Sequence, residues 1–423
     1  SFSSLVIYPS YYLEKIDGAT YVEKYQFELM PGSGPYVLNT ERTTQENNGL
    51  AVLDRRNNYW AENDPRNIGL WNFDTVEFIF INDETQEVER FFAGDFDTYS
   101  VSRAQWWSQR FVADEYPEIQ RGLVQRKKYI NFAPAGVGGI AFNSLEEPFS
   151  DIQVREAFCH LWDVEKLMDK LFFNEYVRKN SYFPRSKYEH PENPIQDYNP
   201  DYALDLLKEA GWTKKEGDTW LTNDKGKIFE IEEFHIYKGW DRILNYFVQD
   251  LESIGIKLNL VVIQNPFEMA MNRKFKIYSG GWVGSLLPSP EGMLHSKYSE
   301  KLDVTNITGM ANPEIDKLIE EYNLNWNMEE RIEILQQLDS IATREFHWIH
   351  SWTAPYGYRC LNWNKFGIPD NGVGYSGGWL EPISMWWIDP DKKEKLQDVI
   401  KNAGILPIEK EVVDYWNNLE NNN

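Results

Sequence analysis

The sequence predicts an α/β protein of more than one domain. Three observations carry that class. Strand-like and helix-like runs alternate over residues 75–100 and again over 228–282. Several helices open on an Asn or Asp cap, twice with Pro directly after it. The chain has 423 residues, 42% of them apolar, which is enough for two or three cores at roughly 150 residues per domain.

The elements come in this order. "GSGPYVL" (32–38) is a turn leading into a strand, and "GLAVLDRRNNYW" (49–60) holds another. "TVEFIFI" (75–81) is a strand, and "DETQEVERFFAG" (83–94) is a helix capped by Asp83 and stopped by Gly94. "FDTYSV" (96–101) is a second strand. Strand, helix and strand over about 30 residues predict a parallel crossover. In "FSDIQVREAFCHLWD", Ser150 or Asp151 caps a helix whose inner face is Val154, Ala157, Phe158 and Leu161. Cys159 inside that pattern is expected to be a buried thiol. Asn199 with Pro200, and Asn312 with Pro313, start two more helices. The second carries the stripe Ile315, Leu318, Ile319 and Tyr322. A longer helix over 328–345 carries Ile332, Leu335, Leu338 and Ile341.

The second alternating run is strand 228–237, helix 241–255, strand 256–263, short helix 266–274 and strand 275–282. This βαβαβ order places "GGWVGSLLPSPEGML" (280–294) at the carboxyl end of a strand, where open α/β sheets bind ligands. Trp282 beside its glycines is then either a cleft platform or a core plug. Residues 177–199, rich in Pro, Asn and Tyr, read as a long surface loop, and "NNLENNN" (417–423) as a frayed tail.

Composition excludes some functions. The 43 basic and 66 acidic residues give a net charge of −23, which opposes binding to nucleic acid or to an anionic membrane surface. No apolar run reaches the roughly 18 residues of a membrane span. The first residues lack a signal-peptide layout, as a mature secreted chain also would. Cys159 and Cys360 make neither a metal spacing nor a disulfide framework. The 17 tryptophans suit cores, and also clefts that stack on peptides or sugars.

Catalytic motifs are weak. "GYSGG" (374–378) matches GxSxG, but Pro382 interrupts the helix that an elbow needs after it. The last histidine, His350, also lies upstream, so Ser376 is not expected to be a nucleophile. "GVGYSG" (372–377) comes after "PDN" rather than a strand and reads as a glycine-rich loop. His347 and His350 would share a face on a helix and could hold a metal, but no third ligand stands at a useful spacing. No metal, no cofactor and no enzymatic activity are expected. A secreted hydrolase using paired carboxylates stays open as an alternative.

The order of "GSGPYVL", "NYW", "VERFFAGDFD", "GIAFNSLEEPFSDIQVREAF", "NPDYALDLLKEAGW", "VQDLESIGIKLNLVVI", "FKIYSGGW" and "NPEIDKLIEEYN" resembles the extracellular solute-binding proteins of peptide-type ABC importers, the dipeptide/oligopeptide-binding family. "HWIHSWTAPYGYRCLNWNKFGIP" and "WWIDPDKKEKL" are most similar to its Yej-type branch. The resemblance implies a two-lobed periplasmic binding protein fold, type II, of the peptide-binding class. Residues 1–138 and 346–423 would form one lobe and 139–345 the other. Family members carry a segment before the "GSGPY" stretch, so the fold is expected to lack its amino-terminal part here.

The resemblance further implies a monomer outside the cytoplasmic membrane. It would capture a peptide or small solute and pass it to a transporter permease. The implied ligand-binding set is Phe142 and Asn143, then Gly281, Trp282, Val283, Gly284, Ser285 and Glu291, with Trp352 and Tyr356 brought from the other lobe by hinge closure. Core packing remains the other reading of Trp352 and Tyr356. Where the family commonly places an aspartate for the ligand's amino terminus, this chain has Ser285, and Glu291 is the nearest acid after it. That departure leaves room for an oligosaccharide carrier of the same fold; a receptor or scaffold fragment that binds no solute is a separate alternative.

Overall fold

Residues 8–25, 30–46 and 49–420 are described in the computed structural model of the chain. They fall into two compact units. The first comprises Ser1–Val101, Ala113–Tyr129 and Tyr358–Tyr415; the second comprises Ser102–Val112, Ile130–Gly357 and Trp416–Asn423.

In the first unit, Tyr36–Leu38, Leu50–Arg55 and Thr75–Ile79 form an antiparallel three-stranded sheet in chain order. The helix Glu84–Phe92 comes next. Its Asp83 cap accepts from the Gln86 amide at 2.8 Å, and Gly94 ends it at φ +87°. The next strand, Thr98–Ser100, does not return to that sheet. It pairs antiparallel with Tyr358–Trp363, in a sheet that also holds Val124–Tyr129 and Val412–Val413. The parallel crossover predicted over 75–100 is therefore absent. All six residues of Tyr358–Trp363 are buried, and a buried strand must satisfy both of its edges. Sequence alternation says nothing about which edge a strand joins.

Tyr129, Tyr358, Cys360, Phe366, Val373 and Trp386 form one core of this unit. The glycine-rich loop is shaped by that core. Gly372 has φ +67°, a Cβ on it would overlap the Tyr129 ring, and its carbonyl accepts from the Trp386 indole at 2.7 Å. Ser376 is exposed in a turn between the strand Phe366–Gly367 and the helix Glu381–Met385. No strand runs directly into it, as a nucleophile elbow requires.

In the second unit, Gly138–Phe142 is the middle strand of three, paired antiparallel with Ile277–Gly281 on one side and Trp348–His350 on the other. Glu230–Ile236 and Lys257–Val262 pair in parallel through the helix Asp241–Ile254, which Gly255 ends at φ +98°. One crossover of the predicted βαβαβ array thus forms. The third strand leaves it and takes Gly138–Phe142 as its antiparallel partner. "GGW" is then the end of an antiparallel ladder and does not stand at the carboxyl edge of a parallel sheet.

The helix starts match the sequence closely. Asp151, Asn199 and Asn312 each accept from the backbone of the first turn of Ile152–Cys159, Pro200–Glu209 and Pro313–Leu324. Val154, Ala157, Phe158, Cys159 and Leu161 are buried in one core, and Ile315, Leu318, Ile319 and Tyr322 in another. In the helix Met328–Arg344 the stripe is turned slightly: Ile334, Leu335, Leu338 and Ala342 are buried, while Ile332 and Ile341 are only partly so.

Residues 177–199 are not the solvated loop that their composition suggested. Tyr182, Phe183 and Tyr188 are buried, and the segment is pinned to the helix Met328–Arg344 by Asp339. One carboxylate oxygen of Asp339 accepts from the Tyr182 amide at 2.8 Å. The other accepts from Ser181 Oγ at 2.8 Å, the His190 amide at 3.0 Å and Asn193 Nδ2 at 2.6 Å. Burial raises the carboxyl's pKa while these donors oppose the shift. The tail forms a helix over Tyr415–Glu420; the remaining residues, 421–423, lie outside the described set. Among the described residues no helix is long and apolar enough to cross a membrane.

Asp339→Ala would leave four donors without their acceptor. Each donor that stays buried costs about 1–3 kcal/mol. A drop of several kcal/mol in urea unfolding free energy is expected, and an unchanged midpoint contradicts the pinning role.

Candidate functional site

The site grows out of the antiparallel ladder. Gly280 pairs with Gly139 and Gly281 with Gly138, and the Trp282 amide then donates to the Val137 carbonyl at 2.9 Å. Beyond this point residues 134–137 and 282–284 continue against each other, main chain on main chain. A Cβ on Gly136 would overlap the Trp282 carbonyl oxygen. One on Gly281 would stand 2.5 Å from the Val137 oxygen, and one on Gly284 would stand 2.6 Å from the Ala135 carbonyl. The glycines are thus required by contact between two segments of the protein, where the sequence alone had suggested closeness to a ligand.

These two segments, with Tyr182, Phe183 and Ser186 from the pinned segment and Pro288 and Met293, line a cavity of about 240 Å³. Trp282, Val283, Gly284 and Ser285 all line it. Trp282 is half-buried, packs on the second core cluster and meets Phe267 edge to face at 5.9 Å. Its Nε1 is buried with no hydrogen-bond partner among the described residues. Val283 is 96% exposed and so has no packing role. Ser285 Oγ donates to the Leu287 carbonyl at 3.1 Å and accepts from the Leu287 amide at 3.3 Å, closing a small turn.

Lys179 stands at the margin of this cavity. Its Nζ donates to the carbonyl of Gly136, a lining residue, at 3.0 Å. Burial pulls its pKa down to about 8.

The remaining residues of the expected set lie elsewhere. Phe142 is core, stacked on Phe149 at 4.8 Å. Asn143 is buried; its Nδ2 donates to the Phe275 carbonyl at 3.1 Å and its Oδ1 accepts from the Leu145 amide at 3.2 Å. Both act in packing and do not line the cavity. Glu291 is paired with Lys297 and accepts from Asn323 at 3.0 Å. The Lys297 ammonium holds its carboxyl below the usual range. Glu291 is committed to these partners and does not stand in for the missing aspartate at the cavity. Trp352 pairs with Arg178 and packs on Phe172 at 4.5 Å and Trp162 at 5.7 Å. It lies in the same unit as Trp282, as does the half-buried Tyr356. Trp352 also stacks on Trp240 at 6.5 Å, and Trp240 lines a second cavity of about 440 Å³ with Arg103, Lys238 and Arg242.

Tyr182, Phe183 and Lys179 escape sequence reasoning because "VRKNSYFPRSKY" has the composition of a loop. The available signal is its aromatic content, too high for a solvated segment.

His347 directly precedes the strand Trp348–His350 and His350 ends it, so the pair does not ride a helix and its spacing brings no shared ligating face. Both are buried, and burial holds His347 well below its ordinary range and His350 at about 3. Among the described residues no group of three His, Cys, Asp or Glu could hold a metal ion. Cys159 and Cys360 are free buried thiols, both pushed up by burial, Cys360 to about 12.

This geometry has two measurable consequences. Gly284→Ala is expected to cost about 1–3 kcal/mol, as overpacking does, while Ser285→Ala stays within about 0.5 kcal/mol. Paired thermal melts check the contrast. The second concerns pH. An unfolded His350 takes up a proton below about 6.5, whereas the buried ring does so only near 3. Its contribution is full above pH 6.5 and is lost as pH falls, by up to about 1.4 kcal/mol per unit. His350→Leu should flatten that acid limb in urea titrations.

Comparison with known proteins gives consistent matches. Residues 2–302 match the family described as bacterial extracellular solute-binding proteins, family 5 Middle. The chain is 27% identical over 408 residues to an Escherichia coli protein named YejA and described as uncharacterised. That alignment covers 88% of this chain and 65% of the relative, so the chain spans just under two thirds of the relative's length. Among solved structures it is similar to the oligopeptide-binding protein AppA of Bacillus subtilis in complex with a nonapeptide. The TM-score is 0.68 at 21% identity, over 91% of this chain and 72% of that one. It is also similar to a mannohexaose-bound periplasmic oligopeptide-binding protein of Thermotoga maritima, with TM-score 0.68, 18% identity, and 90% and 71% of the two chains covered. The likeness shows the fold to be that of the peptide-class periplasmic binding proteins.

Proposed function

The chain belongs to the bacterial extracellular solute-binding proteins of family 5, and from that membership we propose that it captures peptides or peptide-like solutes outside the cytoplasmic membrane. It acts as a monomer, as the binding component of an ABC importer, and hands its ligand to a permease without chemically altering it. The observation that carries this reading is the apolar, aromatic-walled cavity in the second unit, which Trp282, Val283, Gly284 and Ser285 all line. Peptide main chain and side chains suit such a wall, since stacking and burial supply affinity while a few polar groups set register. The similar fold with a nonapeptide supports it.

An oligosaccharide is the second reading. Ser285 offers no charge for a ligand ammonium, a buried ammonium needs a partner, and one similar structure is mannohexaose-bound.

Thermal melts with alanine oligomers and with mannohexaose separate the two. A ligand at about 100 times its Kd adds about 2.7 kcal/mol to the native state. Peptides are expected to raise the melting temperature and to be recovered uncleaved. Stabilisation by the sugar alone moves the answer to the second reading, and cleavage of the peptide overturns the binding role. Trp282→Ala should weaken the responding ligand by about 2 kcal/mol, the size of a buried aromatic contact.

A further inference from the structure

Among the described residues Lys179 is a cation without an anion. Its main chain is fixed: the amide donates to the Ser351 carbonyl at 3.0 Å, directly after Val177–Arg178 has paired with Trp352–Thr353. Its Nζ donates to the Gly136 carbonyl, and the space it occupies lies against Gly138, where a Cβ would approach Nζ to 3.0 Å. An ammonium has three protons to donate, and one is used. Among the described residues no carboxylate lies within 4 Å of it.

Three other buried or half-buried cations are matched by acids, whereas Arg185 donates to three backbone carbonyls. Lys127 meets Glu409 at 2.8 Å, Arg155 meets Glu345 at 4.0 Å, and Arg178 meets Glu165 at 3.9 Å. The contrast is sharper because acids outnumber bases by 66 to 43. A desolvated ammonium with no counter-charge is costly. Desolvated ionisable groups of this kind cluster at functional sites.

The position suits that role. Lys179 is half-buried and so reachable. Gly136 joins it to the Trp282 cavity, and Ser351 joins it to Trp352 and through that ring to Trp240.

We propose that the Lys179 ammonium is an anion subsite at the margin of the Trp282 cavity, and that it takes a carboxylate of the bound solute. This rests on the reading of that cavity as the ligand site. The carboxylate can be the carboxyl terminus of a peptide or the acid of a sugar, since both present the same two oxygens.

The test uses four probes on the whole chain by calorimetry: penta-alanine, penta-alanine carboxamide, glucuronic acid and glucuronamide. Wild type is expected to bind an acid at least about tenfold tighter than its amide. Lys179→Met should abolish that difference while melting at or above the wild-type temperature, because it removes an unpaired charge. Lys179→Arg should restore part of the preference. The acid's affinity should also fall as pH rises beyond about 8, where free Lys179 loses its proton. His350, on which the Lys179 charge acts, stays neutral over that range, and the guanidinium of the neighbouring residue Arg178 stays cationic. Equal affinity of wild type for acid and amide overturns the subsite and leaves the peptide reading standing. Preference for glucuronic acid with no peptide bound supports the subsite and overturns the peptide reading. Binding of none of the four overturns both.

Discussion

The main-chain contact between residues 134–137 and 281–284 is the constraint on which the second unit's site depends. Two backbones can lie this close only where side chains are missing, and Gly136, Gly281 and Gly284 supply that. The hydrogen bond from Trp282 to Val137 extends the ladder one step past its last strand pair. Trp282 is then held by the sheet at its amide and by the core at its ring. A loop built this way is rigid enough to present a pocket wall, although Val283 beside it is almost wholly exposed.

The opposite wall has a different origin. Tyr182 and Phe183 reach the cavity because Asp339 gathers four donors from their segment onto a helix. Arg185 reinforces the arrangement by donating to the carbonyls of Asn131, Ala354 and Pro355. One wall is therefore set by packing without side chains, and the other by a buried charge saturated with hydrogen bonds. Lys179, between Gly136 and Ser351, is a charge left unsaturated beside them.

Local structure is legible in the sequence wherever a cap or a stripe announces it. Asp83, Asp151, Asn199 and Asn312 start their helices as their chemistry requires, and Gly94 and Gly255 end theirs. Pairing is not legible. Thr98–Ser100 and Ile277–Gly281 are both expected from the sequence to extend parallel arrays, and both take antiparallel partners distant in sequence. Alternation fixes which face of a strand is buried but not which neighbour it finds. For the site, "GGWVGS" stands out by glycine and tryptophan content alone. The reason for its glycines differs from the expected one, because a close approach inferred from sequence does not say what approaches. Phe142, Asn143 and Glu291 enter by resemblance and prove to be held by packing or by their own partners. Tyr182 and Phe183 are hidden because composition cannot see a single buried aspartate 157 positions away from Tyr182, and Lys179 because it cannot see the bonds to Ser351 and Gly136 that place it.

The most direct test of the cavity as the binding site is hydrogen exchange on the purified protein, compared before and after unfolding, dialysis and refolding to remove any retained solute. Solute binding at the cavity predicts protection in the untreated sample confined to the amides of residues 135–137, 182–187 and 282–287. Protection concentrated elsewhere, with these segments unchanged while a released solute is detected in the dialysate, would contradict the assignment.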